Sequence, residues 1–293
     1  MAEEQPQDKQ AAPDTVPDTV PDTTTEGNQD KGQEVPDQAH PNKDAMAQAQ
    51  REHWARPVEH IETDEVPPGA SAVNVDGREV VNPTHGFGQL WRRTYRVKLP
   101  GVQSTPAEVM AYWKEHFPEF QPEENRFLPT RDGVQPGELV YIDAKLINAP
   151  GLGALTPMAS GVMVIYADDE SFTVMTPEGF PVSGFNTFSV YEEDEMLYAQ
   201  VQGLERATDP IYEFGYRLMG GEAKQDRTWK HVLRSLAARY GIDEEVEHAK
   251  TCLDPGLQWQ NVGNVWKNAF VRTTLYKATT PIRWLFGGRD QKS

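Results

Sequence analysis

Between Phe87 and Tyr240 the apolar residues first recur at every second position and then, past Asp209, at every third and fourth. This change of period restricts the chain to a mixed domain in which a sheet is laid down before a long helix. In the first stretch, Trp91, Tyr95, Val97 and Leu99 share one parity with Arg93, while Arg92, Thr94, Arg96 and Lys98 share the other. Period two predicts a strand, stopped by Pro100-Gly101. Ser104 or Thr105 then caps a helix that has Pro106 in its first turn and ends before Pro118. Strands are expected over 138–147, 161–167, 171–176, 186–191 and 196–203, separated by short polar breaks such as Asp168-Asp169-Glu170. Breaks this short demand antiparallel hairpins, because a parallel crossover needs a dozen residues or more. Asp209-Pro210 opens the helical stretch, Gly220-Gly221 interrupts it, and Gly241 ends the stronger half, Gln225 to Tyr240.

Upstream, residues 1–66 carry 16 Asp or Glu against five Lys or Arg, with one Trp and no Phe, Tyr or Leu. Such a segment buries too little apolar surface to offset its ordering entropy, so a disordered acidic tail is expected. It includes the repeat PDTV-PDTV-PDTT at 13–24, whose prolines remove backbone donors. Residues 67–84, rich in Pro, Gly and Asn, read as a linker. The ordered domain is expected over 85–241, followed by a helical appendage at 242–293.

The formal charge of −17 comes mostly from the tail. Clustered Lys and Arg of the kind a nucleic-acid face needs are missing, so no nucleic-acid partner is expected. The lone Cys252 rules out an intramolecular disulfide and cysteine-rich metal sites. The seven histidines show no metal-ligand spacing, and Ser183 sits outside a nucleophile-elbow context. No metal, cofactor or catalytic residue is therefore expected. With no apolar leader and no run of 18 apolar residues, the sequence predicts a soluble, cytoplasmic protein without a transmembrane segment.

The order strand, helix, antiparallel strands, long helix resembles the helix-grip architecture of the START-like, polyketide-cyclase-like (SRPBCC) superfamily. Gly137-Glu138-Leu139-Val140, the Gly-rich turn and strand near Leu155, and the run from Phe172 to Gly184 are similar to its bacterial DUF1990-like branch. The resemblance spans about Phe87 to Tyr240 and implies an α+β fold: a curved antiparallel sheet wrapped around a long C-terminal helix. It further implies an apolar cavity between the two, holding a small hydrophobic or amphipathic ligand without covalent chemistry.

On that reading the sheet contributes Met163, Ile165, Phe172, Val174, Phe188 and Tyr198 to the cavity, with Tyr141 if its parity is inward. The helical stretch contributes Phe214, Leu218, Trp229 and Leu233. Loops at Gly151–Pro157 or Glu178–Gly184 would gate entry. Two other functions remain open at this level. One is a non-catalytic interaction protein whose C-terminal helix presents Trp266, Lys267, Phe270 and Tyr276 to a protein partner or a membrane surface. The other is a cyclase- or hydrolase-like enzyme, which requires an acid, histidine or tyrosine facing the cavity with a supporting partner.

Overall fold

The structure, a computed structural model, describes residues 52–145 and 157–276. The repeat at 13–24 and most of the expected gate at Gly151–Pro157 lie outside them. Among the described residues nine strands form one antiparallel sheet in the order β3-β4-β5-β6-β7-β8-β2-β9, with the short β1 (Val80–Val81) paired to the end of β6. The strands on that path are β2 (Leu90–Lys98), β3 (Asn125–Pro129), β4 (Leu139–Lys145), β5 (Pro157–Ala167), β6 (Ser171–Pro177), β7 (Val182–Glu193), β8 (Met196–Ala207) and β9 (Glu247–Asp254). The sheet stays open, with β3 and β9 at its edges. The helices that accompany it include α1 (Pro106–Glu115), α2 (Pro210–Leu218) and α3 (Gly221–Arg239). This is a helix-grip arrangement, with α3 laid along the concave face.

Local chemistry explains each element. Thr105 and Glu108 make a reciprocal capping box at the start of α1. Asp209 accepts from the amides of Ile211 and Tyr212 at the start of α2. Helix α3 turns Val232, Leu233, Leu236 and Ala237 toward the sheet, where they meet Val97 of β2, Leu99 just past its end, and Ala199 and Val201 of β8. The β7–β8 hairpin is closed by Asp194 and Glu195, both at positive φ (52° and 60°), which gives the turn the twist its strands need.

The concave side is filled by aromatic rings. Phe172 and Phe188 stack with centroids 4.5 Å apart, and Trp113 and Phe117 meet Phe188 edge-on at 5.6 and 5.2 Å. All four are buried, each burial contributing roughly 1.5–3 kcal/mol.

Two features depart from the sequence expectation. Residues 247–254, expected within a helical appendage, form β9 and pair with β2 along seven positions. The segment before position 85 is not only tail and linker: Ile61 and Val75 are buried against Leu139, Tyr141 and Met163 on the convex face of the sheet. Asn74 pins that layer by donating to the carbonyl of Ala159 at 2.7 Å and to Thr273 at 2.8 Å.

Candidate functional site

The concave face has two chemically distinct halves. Phe172, Val174, Phe188 and Leu233 come together in the apolar half, with Trp229 meeting Phe188 edge-on at 5.6 Å. The other residues expected to line a cavity lie elsewhere. Met163 belongs to the convex cluster with Tyr141, and Ile165 sits at a bulge between Val164 and Tyr166. The inward residues of β5 are Val162 and Val164. Tyr198 lies on the outer face, stacked on Tyr191 and covered by Arg96. Phe214 and Leu218 are 56% and 71% exposed on the outside of α2. The expected gate at Glu178–Gly184 is held fast: Glu178 pairs with Arg78 and Lys267, and the amide of Ala269 donates to the carbonyl of Gly179.

The polar half lies beneath the junction of α2 and α3. On β2, Arg93 continues the inward parity of Tyr95 and Val97; on β8, Glu205 continues that of Ala199 and Val201. Trp91 is the direct partner of Glu205 and Gly203 that of Arg93, so the two charges are diagonal neighbours on one face. Arg93 Nη1 donates to Glu205 Oε1 at 2.5 Å, with the side chains 5% and 1% exposed. From α3, Gln225 Nε2 donates to the same carboxylate oxygen at 2.6 Å. Two residues along β2, Tyr95 donates to Asp226 of α3 at 2.6 Å, and the ring of His248 stacks on Tyr95 at 4.5 Å.

Around this pair is a chamber of about 50 Å³, lined among others by Trp91, Arg93, Glu205, Glu213, Tyr216 and Glu222. Lys250 Nζ lies 3.9 Å from the Trp91 ring centroid and pairs with Glu222. Arg217 pairs with Glu213 at 2.5 Å, and Arg206 pairs with Asp254. Burial raises the pKa of Tyr216, and burial followed by its hydrogen bond to Asp226 raises that of Tyr95, so both hydroxyls stay protonated donors. Desolvation, with Arg93 adding like-charge repulsion, lowers the pKa of Lys250.

Satisfaction is incomplete at the centre. Among the described residues, Arg93 Nε, Glu205 Oε2, Glu213 Oε1, Gln225 Oε1 and Asn186 Oδ1 are buried without a hydrogen-bond partner, Glu213 Oε1 keeping its ion pair with Arg217. Each such atom costs about 1–3 kcal/mol of desolvation. Gly203 contributes to the opening: a Cβ there would lie 2.6 Å from Asn186 Oδ1 and 3.8 Å from the Glu205 carboxyl carbon. A second, wider groove of about 620 Å³ runs over the convex face, rimmed by Glu59, Glu62, Asp64, Glu65, Asp132 and Glu138. None of the unpartnered buried atoms lines it.

The sequence held one signal for the polar site. Arg93 is the single charged residue on an otherwise apolar parity, and a charge there must be partnered on the inner face. Glu205, Gln225 and His248 gave no comparable sign, because each falls beyond an expected strand or on a helix flank. Among the described residues no group of three or more metal-ligating side chains comes together, and no helix is long and apolar enough to cross a membrane.

No family model matches the chain, and no curated protein does. Solved structures similar to it include the KanY protein (ms6282), with a TM-score of 0.39 and 11% identity over 53% of this chain and 99% of that one. Another is the di-domain ARO/CYC StfQ from the steffimycin biosynthetic pathway, at 0.38 and 11% over 53% of each chain. A third is a START superfamily protein from Mycobacterium smegmatis, at 0.34 and 15% over 53% of this chain and 98% of that one. Likeness at this level assigns the chain to no family and no ligand. The helix-grip arrangement rests on the chain's own strand order and helix placement.

Proposed function

We propose that this chain binds a small amphipathic molecule between the sheet and its helices without altering it covalently. The polar end of the ligand sits in the chamber beneath the α2–α3 junction. The observation that carries this reading is the buried Arg93–Glu205 pair in the wall of an open chamber. A few polar and charged groups converging on a partly enclosed pocket orient the polar end of a small ligand.

The chamber by itself admits a functional group and not a whole drug-sized molecule. The apolar body extends out past Trp91 and Tyr216, beside the break at Gly220 (φ 75°) between α2 and α3. The packed rings of the other half, Phe172 and Phe188 among them, form the rigid floor of this arrangement and not its cavity. Nuclear magnetic resonance tests the reading. A small-molecule extract of the source cells is expected to shift the indole resonance of Trp91, assigned with Trp91→Phe, and to leave that of Trp54 on the convex side unmoved. An unmoved Trp91 would remove the proposal.

One observation favours a second reading, peripheral contact with a lipid surface. Trp259 and Trp266, on the 3-10 segment Trp259–Lys267, are 67% and 84% exposed. Val262 shares their exposure, as does Tyr276 farther on. Phe270 is half-buried beside Tyr212, and Lys267 is engaged by Glu178, so the contact rests on the tryptophans. Sedimentation with phosphatidylcholine vesicles is expected to carry the protein down and to fail for Trp266→Ser; equal sedimentation of both would dismiss it.

A further inference from the structure

Helix α2 has two faces with different surroundings. Glu213 and Tyr216 on its inner side line the chamber, while Ile211, Phe214 and Leu218, spaced three and four apart, form an exposed apolar stripe on the other. The 3-10 segment Trp259–Lys267 repeats this pattern with Trp259, Val262 and Trp266. Two hydrogen bonds join the elements: Asn264 donates to the carbonyl of Thr208 at 2.9 Å, and Asn268 donates to Asp209, the cap of α2, at 2.7 Å. Ile211 follows Asp209 by two residues and Trp266 precedes Asn268 by two, so the stripes flank one buried contact. The tryptophans alone present on the order of 300 Å² of apolar surface, as much as the largest patch on many monomers.

The polar groups of this region point to what covers it. The side-chain amides of Asn261, Asn264 and Asn268 turn inward and are bound to Thr84, Gly86, His85, Thr208 and Asp209. On α2, Glu213 and Arg217 are paired with each other. The outward stripes therefore offer little of the directional bonding that a protein partner uses, about one hydrogen bond per 100–200 Å². From Pro255 to Tyr276 there is no acidic residue, while Lys267 and Arg272 are basic, in a chain of formal charge −17. A second copy docked here would bring an equally acid-free strip against the first. A bilayer interface needs no directional partner, favours tryptophan, and sets its phosphates against a surface without carboxylates along this strip.

We propose that α2 and the 3-10 segment form one lipid-docking face, with α2 turning its outer stripe to the bilayer and its inner side to the chamber. This rests on the lipid-surface reading above and extends it from the tryptophans to Ile211, Phe214 and Leu218. Sedimentation of the full chain with phosphatidylcholine vesicles tests it, comparing the parent with Phe214→Ser/Leu218→Ser, Trp266→Ser and the convex-side control Val58→Ser. The α2 double variant is expected to bind about tenfold or more weakly, as two apolar side chains no longer enter the interface. It is expected to keep the parent's circular dichroism, because both positions are exposed, and Val58→Ser is expected to sediment like the parent.

Parent-like sedimentation of the α2 double variant, with Trp266→Ser released, would overturn the role given to α2 and leave the tryptophan contact standing. A dimer seen by sedimentation velocity without vesicles, and dissociated by Phe214→Ser/Leu218→Ser, would assign the face to a second copy and overturn the proposal. A parent that stays in the supernatant is the separate result that removes the lipid reading itself.

Discussion

Arg93 on β2 and Glu205 on β8 form a 2.5 Å ion pair on the concave face of the sheet, with side chains 5% and 1% exposed. A pair this deep is held by geometry and not by a large net energy, because two desolvation penalties offset most of the attraction. Removing one partner strands the other. Arg93→Ala and Glu205→Ala are each expected to lower unfolding stability by about 3–5 kcal/mol, whereas Arg93→Met/Glu205→Leu is expected to fall within about 1 kcal/mol of the parent or above it. Urea denaturation of the four proteins measures this, and a double variant as weak as the singles would contradict it.

Alkaline stability follows from three tyrosines. Burial raises the pKa of Tyr95, Tyr212 and Tyr216 above the ordinary 10.0, so below pH 10 the folded and unfolded states bind the same protons at these groups. Above it the unfolded chain releases protons that the folded chain retains, and stability falls as pH rises. Absorbance at 295 nm is expected to show these tyrosines ionising together with the loss of near-ultraviolet circular dichroism. Ionisation in a still-folded protein would refute the expectation.

Acid acts at another place. Burial alone would raise the pKa of Glu178, but hydrogen bonds from Lys267 and Arg78 outweigh it and hold the carboxyl below its ordinary 4.5. The stabilisation is complete above that value and is lost as pH falls through the lower folded-state pKa. Melting temperatures between pH 3 and 7 are expected to drop less steeply for Glu178→Gln than for the parent. Parallel curves would show that Glu178 carries no such linkage.

The β7–β8 turn is strained by its residues. Asp194 and Glu195 both occupy the left-handed region, where glycine sits without steric cost and a non-glycine residue pays about 1–2 kcal/mol. Glu195→Gly is expected to raise stability by about 0.5–1 kcal/mol, seen as a higher melting temperature with no change in ligand response. A lower melting temperature would contradict this.

How far the sequence could be read depended on whether each element had one wet face. β2 alternates cleanly because Arg92, Arg96 and Lys98 meet solvent, so its inner parity was legible, Arg93 included. β5 is apolar at nearly every position because the layer carrying Ile61 and Val75 covers its other side. With no polar residues to mark a face, Met163 and Ile165 were indistinguishable from Val162 and Val164. The helix stripe at Trp229 and Leu233 was legible, but Phe214 and Leu218 have the same spacing and face outward, since spacing tells which residues share a side and not what covers it. β9 was hidden by its composition: Glu247, His248 and Lys250 suggest a solvated stretch, and its strand character comes from pairing with β2. The polar chamber is tertiary, assembled from β2, β8, α2 and α3, and only Arg93 announced it.

Native mass spectrometry of the protein purified from its own source bears most directly on whether the sheet and helices hold a ligand. The expected spectrum shows the intact chain with a single small-molecule adduct, lost in Arg93→Met/Glu205→Leu. A bare polypeptide mass in both proteins, or the same adduct retained by both, would contradict binding at the Arg93–Glu205 chamber.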